Sequence, residues 1–107
     1  MNTDALLSII ETVVVSVLDG EDLPVYGARV YGAMIKFLSR FYSFLVLSER
    51  HLDAFCAGVM LDIVNDAVYK KCRYVYPREK KLIRRFLEDD FRDLATQMMS
   101  GFFNGKD

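Results

Sequence analysis

The side chains able to do chemistry are few, and their spacing argues against catalysis. The chain has one histidine, His51, and two cysteines, Cys56 and Cys72. A nucleophilic centre of the Ser-His-Asp or Cys-His type would have to use His51. On a helix, Cys56 lies five positions and about 140° round from His51, so the thiol and the imidazole face different sides. We expect His51 to face solvent and the protein to be no enzyme.

Ligand patterns typical of metal and phosphate sites are also missing. The sequence contains no Cys-x-x-Cys, no His-x-x-x-His and no Glu-x-x-His. Asp62 and Asp66 are an i, i+4 carboxylate pair, which we interpret as a solvated stripe. The motif V-Y-G-A occurs at 25–28 and at 30–33, without the glycine spacing of a phosphate loop, and so favours a packing role. We expect no metal, no cofactor and no small-molecule substrate. A further hypothesis is that the protein carries a ligand in a pocket between its aromatic helices.

One segment is strongly basic, although the whole chain has a formal net charge of −1. Residues 70–85, KKCRYVYPREKKLIRR, hold eight lysines and arginines against a single acid, Glu79. Tyr69, Tyr74 and Tyr76 are interleaved with these cations. We predict that this basic segment is a partner-binding surface made of Lys70, Lys71, Arg73, Tyr74, Tyr76, Arg78, Lys80, Lys81, Arg84 and Arg85.

Three interpretations of the basic segment stay open. Its charges pair within the fold, for instance Arg84 with Glu88 at i, i+4. Alternatively they bind an acidic protein surface, including the first 69 residues of a second copy, which carry nine acids and four bases. In the third interpretation they contact the phosphates of a nucleic acid while tyrosines stack on its bases. The isoelectric point near 5.8 weakens the third, because nucleic-acid modules commonly exceed 9.

The end of the sequence carries a second candidate surface. Methionine and phenylalanine side chains suit an adaptable apolar contact. We predict that Met98, Met99, Phe102 and Phe103 mediate self-association, with closure of one end of the bundle as the alternative.

Apolar residues recur at intervals of three and four, which predicts helices throughout. We predict a single all-α domain over 1–107, a compact bundle of four helices at about 4–18, 23–47, 49–75 and 78–103. The second helix would start after Asp22 with Pro24 in its first turn, and the third would carry both cysteines about 24 Å apart, too far for a disulfide.

Glu11, Lys36 and Arg40 interrupt the apolar runs, so we expect no membrane span, and no secretion signal is predicted. Together these features predict a small, non-catalytic cytoplasmic interaction or regulatory protein of the adaptor or inhibitor type. It forms a homodimer, through the surplus apolar surface of the first two helices or through the methionines and phenylalanines near the end of the sequence, and it binds an acidic macromolecular partner partly through the basic segment. The alternative is a nucleic-acid-binding protein that uses the same residues.

Overall fold

The chain folds into five α-helices. The computed structural model describes the backbone of residues 1–104 and the side chains of residues 1–101. The helices are α1 (Thr3–Leu18), α2 (Ala28–Leu47), α3 (His51–Val68), α4 (Pro77–Asp89) and α5 (Phe91–Asn104). Residues 1–104 contain no strand. The predicted all-α class is confirmed, whereas the predicted number of four helices is wrong.

The start of α2 differs from the prediction because the preceding connection is extended. Gly27, with φ −73° and ψ 164°, is the N-cap of α2, so the helix begins at position 28 instead of 23. The hydroxyl of Tyr31 donates a hydrogen bond to the carbonyl oxygen of Pro24 at 3.0 Å. The ring of Tyr26 lies edge-on to that of Tyr31, with 5.9 Å between centroids. One copy of V-Y-G-A therefore lies mainly in the connection, packed against the helical second copy.

Three helices are followed, two positions after their last residue, by a residue with left-handed backbone angles. Gly20, Glu49 and Lys70 have φ values of 69°, 58° and 57°. In each case the next N–H donates to the carbonyl five residues earlier, as in a Schellman motif: Glu21 to Ser16, Arg50 to Leu45 and Lys71 to Asp66. α3 therefore ends at Val68 and not at position 75, and Cys72 lies outside it. The prediction that both cysteines share one helix is wrong; both are free thiols.

The predicted fourth helix is divided at Asp90, which has φ −123° and ψ −30°. Residues 88–90 are all acidic, and negative charge is unfavourable at a helix C-terminus but favourable at the N-terminus of the next helix. Beyond the break the side chain of Phe91 is fully buried. Its ring centroid lies 5.6 Å from that of Phe41 and 6.0 Å from that of Phe86. The break thus accompanies a three-ring cluster that joins α2, α4 and α5.

The core lies mainly between α2 and α3, which form the most extensive helix pair. α1, α4 and α5 pack around them, and the radius of gyration is 13.4 Å, close to the roughly 13 Å of a compact chain of about this length. The largest fully buried side chains include Ile10 and Leu18 of α1, Met34, Leu38, Phe41 and Leu45 of α2, and Met60 and Ile63 of α3.

α2 is long and apolar enough to span a membrane, the only helix of the described region with that property. The core helices of soluble proteins share it, so it is weak evidence of membrane insertion. One face of α2, including Leu38, is buried in the core, while Lys36 and Arg40 are exposed about half a turn away.

Candidate functional site

Glu79 organises the connection between α3 and α4 and thereby the basic segment. Its Oε1 accepts hydrogen bonds from Nη1 of Arg73 and from the backbone N–H of Tyr76, both at 3.1 Å. Its Oε2 accepts a longer one, 3.4 Å, from Nη2 of Arg73. The hydrogen bonds from Arg73, together with that from Tyr76, lower the pKa of Glu79 against the opposing effect of burial. The one acid of the segment therefore caps α4 and is committed to one arginine.

A second arginine of the basic segment is also engaged within the fold. Nη2 of Arg84 donates a 2.6 Å hydrogen bond to Oδ1 of Asp19, the C-cap residue of α1. The predicted pairing of Arg84 with Glu88 is therefore replaced by a contact over 65 positions. Internal pairing accounts for part of the predicted surface, namely Arg73 and Arg84.

The other six cations of the basic segment make no salt bridge within 4.0 Å to any described side chain; they are Lys70, Lys71, Arg78, Lys80, Lys81 and Arg85. Arg78, Lys81 and Arg85 recur along one face of α4 and, with Leu82, line a groove of about 200 Å³. From Arg78 to Arg85 this stripe rises about 10 Å along the helix axis. The structure thus brings three of the predicted residues together in one row of positive charge.

The tyrosines lie immediately before this row. Tyr74 and Tyr76 are 69% and 61% exposed, and their rings meet edge to face with 5.0 Å between centroids. An edge-to-face pair leaves at least one broad ring face uncovered. A planar group could therefore stack beside the cations without displacing a core contact.

The predicted self-association residues lie beside an apolar groove. Met98 is buried and Met99 half-buried; both line a groove of about 660 Å³ between α5 and the last turns of α2. Phe44 and Leu47 form its other wall, and Leu47 is 84% exposed. The side chains at positions 102 and 103, the predicted Phe102 and Phe103, lie outside the described residues.

Of the side chains first considered for catalysis, Cys72 belongs to the basic segment, whereas His51 and Cys56 lie outside both surfaces. His51 is exposed at the first residue of α3 and hydrogen-bonds to neither thiol in the described region. Burial raises the pKa of Cys56 to about 11, and the charges of Asp53 and Asp90 add to the rise. Cys72 is exposed. No group of three or more His, Cys, Asp or Glu side chains suited to a metal ion occurs among the described residues.

Two features of the surface are absent from the predicted sites. Phe44 and Leu47 are three positions apart, a spacing that places them on one side of α2. The spacing alone does not identify them as part of a groove, because the groove exists only where α5 lies alongside α2. α2 also carries Arg29, Lys36 and Arg40 and no acid, and none of these cations forms a salt bridge with a described side chain.

No family model matches this sequence, and no match was found among curated proteins or solved structures. Function is therefore inferred from the chemistry of three surfaces: the basic segment, the apolar groove at the end of α5 and the cationic face of α2.

Proposed function

We propose that this protein is a small, non-catalytic binding protein of the cytoplasm, of the adaptor or inhibitor type, whose basic segment docks on an acidic protein. The observation that carries the proposal is the set of six cations that have no salt-bridge partner among the described side chains. Because the only acid of the segment, Glu79, is held by Arg73 and Tyr76, it does not compete with a partner for those six charges.

The positions of these cations favour recognition of a surface over recognition of a small anion. Arg78, Lys81 and Arg85 are spread along a helix and do not converge on one point. When such a row of positive charge faces a row of carboxylates on a partner protein, the attraction accelerates association. It also fixes the relative orientation of the two proteins more than it increases their affinity. The helix that carries the row is fixed to the core by Ile83 and Phe86, so little order has to be gained on binding.

The proposal includes self-association, through the apolar groove lined by Met98 and Met99. Leu47 stands at the edge of this groove and exposes most of its surface. Covering such a groove and such a side chain with protein is favourable in proportion to the apolar area removed from water. We expect a homodimer.

A second function, binding of single-stranded nucleic acid, is favoured by one observation, the exposed pair of Tyr74 and Tyr76. Stacking of one base on an aromatic ring contributes about 1–3 kcal/mol, and the adjacent cations would contact phosphates. An acidic protein partner does not require the rings.

Fluorescence anisotropy with two labelled probes tests the proposal and separates the two functions. The probes are a polyglutamate peptide and a single-stranded oligonucleotide of equal charge. We expect the peptide to bind and the double variant Lys81→Glu/Arg85→Glu to weaken it about tenfold or more, because each substitution replaces an attraction by a repulsion. Tyr74→Ala/Tyr76→Ala should leave peptide binding nearly unchanged.

The control is Arg50→Glu, a charge reversal at an exposed residue between α2 and α3 that belongs to none of the three surfaces. A loss per reversed charge in Arg50→Glu equal to that in Lys81→Glu/Arg85→Glu would show attraction to the whole molecule and no specific surface. Tighter binding of the oligonucleotide, lost about tenfold in the tyrosine variant, would replace the protein partner by nucleic acid. Absence of binding to both probes at low salt contradicts both functions.

A further inference from the structure

The outer face of α2 changes character along its length. Arg29, Lys36 and Arg40 recur at seven- and four-residue intervals, so they lie on one face, and all three are exposed. On the same side the last turns of α2 present Phe44 and Leu47 to the apolar groove. This face is therefore cationic in its first part and apolar in its last part.

The outer face of α3 shows the reverse order with the opposite charge. Its first turns expose Leu52 and Phe55, by 61% and 45%. Two turns later Asp62 is exposed and Asp66 half-buried, and neither forms a salt bridge with a described side chain. Arg73 contributes a positive charge near both, but its guanidinium is held by Glu79. This face is apolar first and acidic last.

The spacing of the two faces matches when the helices run antiparallel. Asp62 lies about 10 Å along α3 from Phe55, and Lys36 lies about 12 Å along α2 from Phe44. When Phe55 is set at the groove beside Phe44, Asp62 thus comes level with Lys36. Asp66 then falls between Lys36 and Arg29, within reach of both long side chains.

We propose that the groove is covered by α3 of a second copy of this chain, antiparallel to α2, with Phe55 of the copy in the groove and Asp62 of the copy facing Lys36. The proposal rests on the self-association proposed above and names its interface. Charge complementarity selects α3: pairing α2 with α2 would oppose cations that no acid of α2 offsets. Because every chain carries both faces, the contact can form twice around a two-fold axis.

Charge reversal on each side of this contact is the test. The dissociation constant of the dimer is measured by sedimentation equilibrium for Lys36→Glu, for Asp62→Lys, for the double variant and for an equimolar mixture of the two single variants. Each single variant should weaken the dimer about tenfold or more, because two contacts per dimer become repulsive. The mixture and the double variant should both recover, since they restore opposite charges at each contact.

Glu88→Lys, a charge reversal at an exposed residue of α4 outside both faces, is the control and should leave the dimer unchanged. Thermal unfolding of each variant checks that these exposed substitutions leave the fold intact. A wild-type dimer that neither single variant weakens overturns this interface and leaves self-association standing. Weakened single variants whose mixture does not recover also overturn it. A wild-type chain that stays monomeric at millimolar concentration overturns both the interface and self-association, and does not affect the proposed role of the basic segment.

Discussion

The guanidinium of Arg92 in α5 binds both carboxylate oxygens of Glu11 in α1. Its Nη2 donates to Oε1 at 2.8 Å, and its Nε donates to Oε2 at 3.2 Å. Nη2 also donates to the hydroxyl of Ser8 at 2.9 Å. The two residues are 81 positions apart, so this pair ties the last described helix to the first.

Arg92→Lys should therefore destabilise the protein by about 0.5–1 kcal/mol, because an ammonium group cannot reproduce the two-pronged contact and the pair is partly exposed to solvent. The free energy of unfolding in urea measures the effect. Arg85→Lys is the matched control, since Arg85 makes no salt bridge within the described part of the chain, and it should change stability little. A double-mutant cycle with Glu11→Gln that gives no coupling energy would contradict the assigned role of the pair.

Helix content was predictable from the sequence, but several helix ends were not. Asp22 and Pro24 are good start signals, yet α2 begins later, where Gly27 is the N-cap. α3 ends because Lys70 adopts left-handed angles, and lysine gives no local signal for that conformation. These ends depend on how the connections pack against the rest of the fold.

The positive charge of the basic segment was predictable from the sequence, whereas the salt-bridge partners of its arginines were not. Local spacing favours Arg84 with Glu88, but Arg84 binds Asp19 across 65 positions. The partner depends on α1 ending beside α4, a tertiary arrangement that helix periodicity does not determine. Which cations stay available to a partner therefore had to come from the structure.

The Glu79 contacts make stability depend on pH in the acid range. The pKa of Glu79 is lower in the folded chain than the roughly 4.3 of an unfolded glutamate. Its contribution to stability is therefore fully present above about pH 4.3 and is lost as the pH falls through the lower, folded value.

We expect Glu79→Gln to be less stable than the wild type at pH 7 and to differ progressively less as the pH falls below about 4. Urea unfolding across this range measures the difference. Glu88→Gln serves as the control, because Glu88 is exposed and forms no salt bridge with a described side chain. A stability difference for Glu79→Gln that is the same at neutral and acid pH would contradict the assignment.

Glu49, two positions after the last residue of α2, has a φ of 58°, a conformation that favours glycine. Glu49→Gly should stabilise the protein by about 0.5 kcal/mol, because relief of the left-handed strain exceeds the added entropy of the unfolded chain. The midpoint of thermal unfolding should rise accordingly. Ser48→Gly, at the preceding residue with φ −84°, should instead be neutral or destabilising. Equal effects at the two positions would show that backbone angles are not the cause.

The two thiols should react at very different rates. Cys56 is buried and its pKa is raised to about 11, so about 0.1% of it is thiolate at pH 8, and the thiolate is the reactive form. Cys72 is exposed in the α3–α4 connection.

A chromogenic disulfide reagent should therefore modify one thiol per chain quickly and the second only when the protein unfolds. Cys72→Ser should remove the fast phase and Cys56→Ser the slow one. Two fast thiols in the folded protein would mean that the α3 core around Cys56 opens on the timescale of the reaction, and it would contradict the burial on which the raised pKa depends.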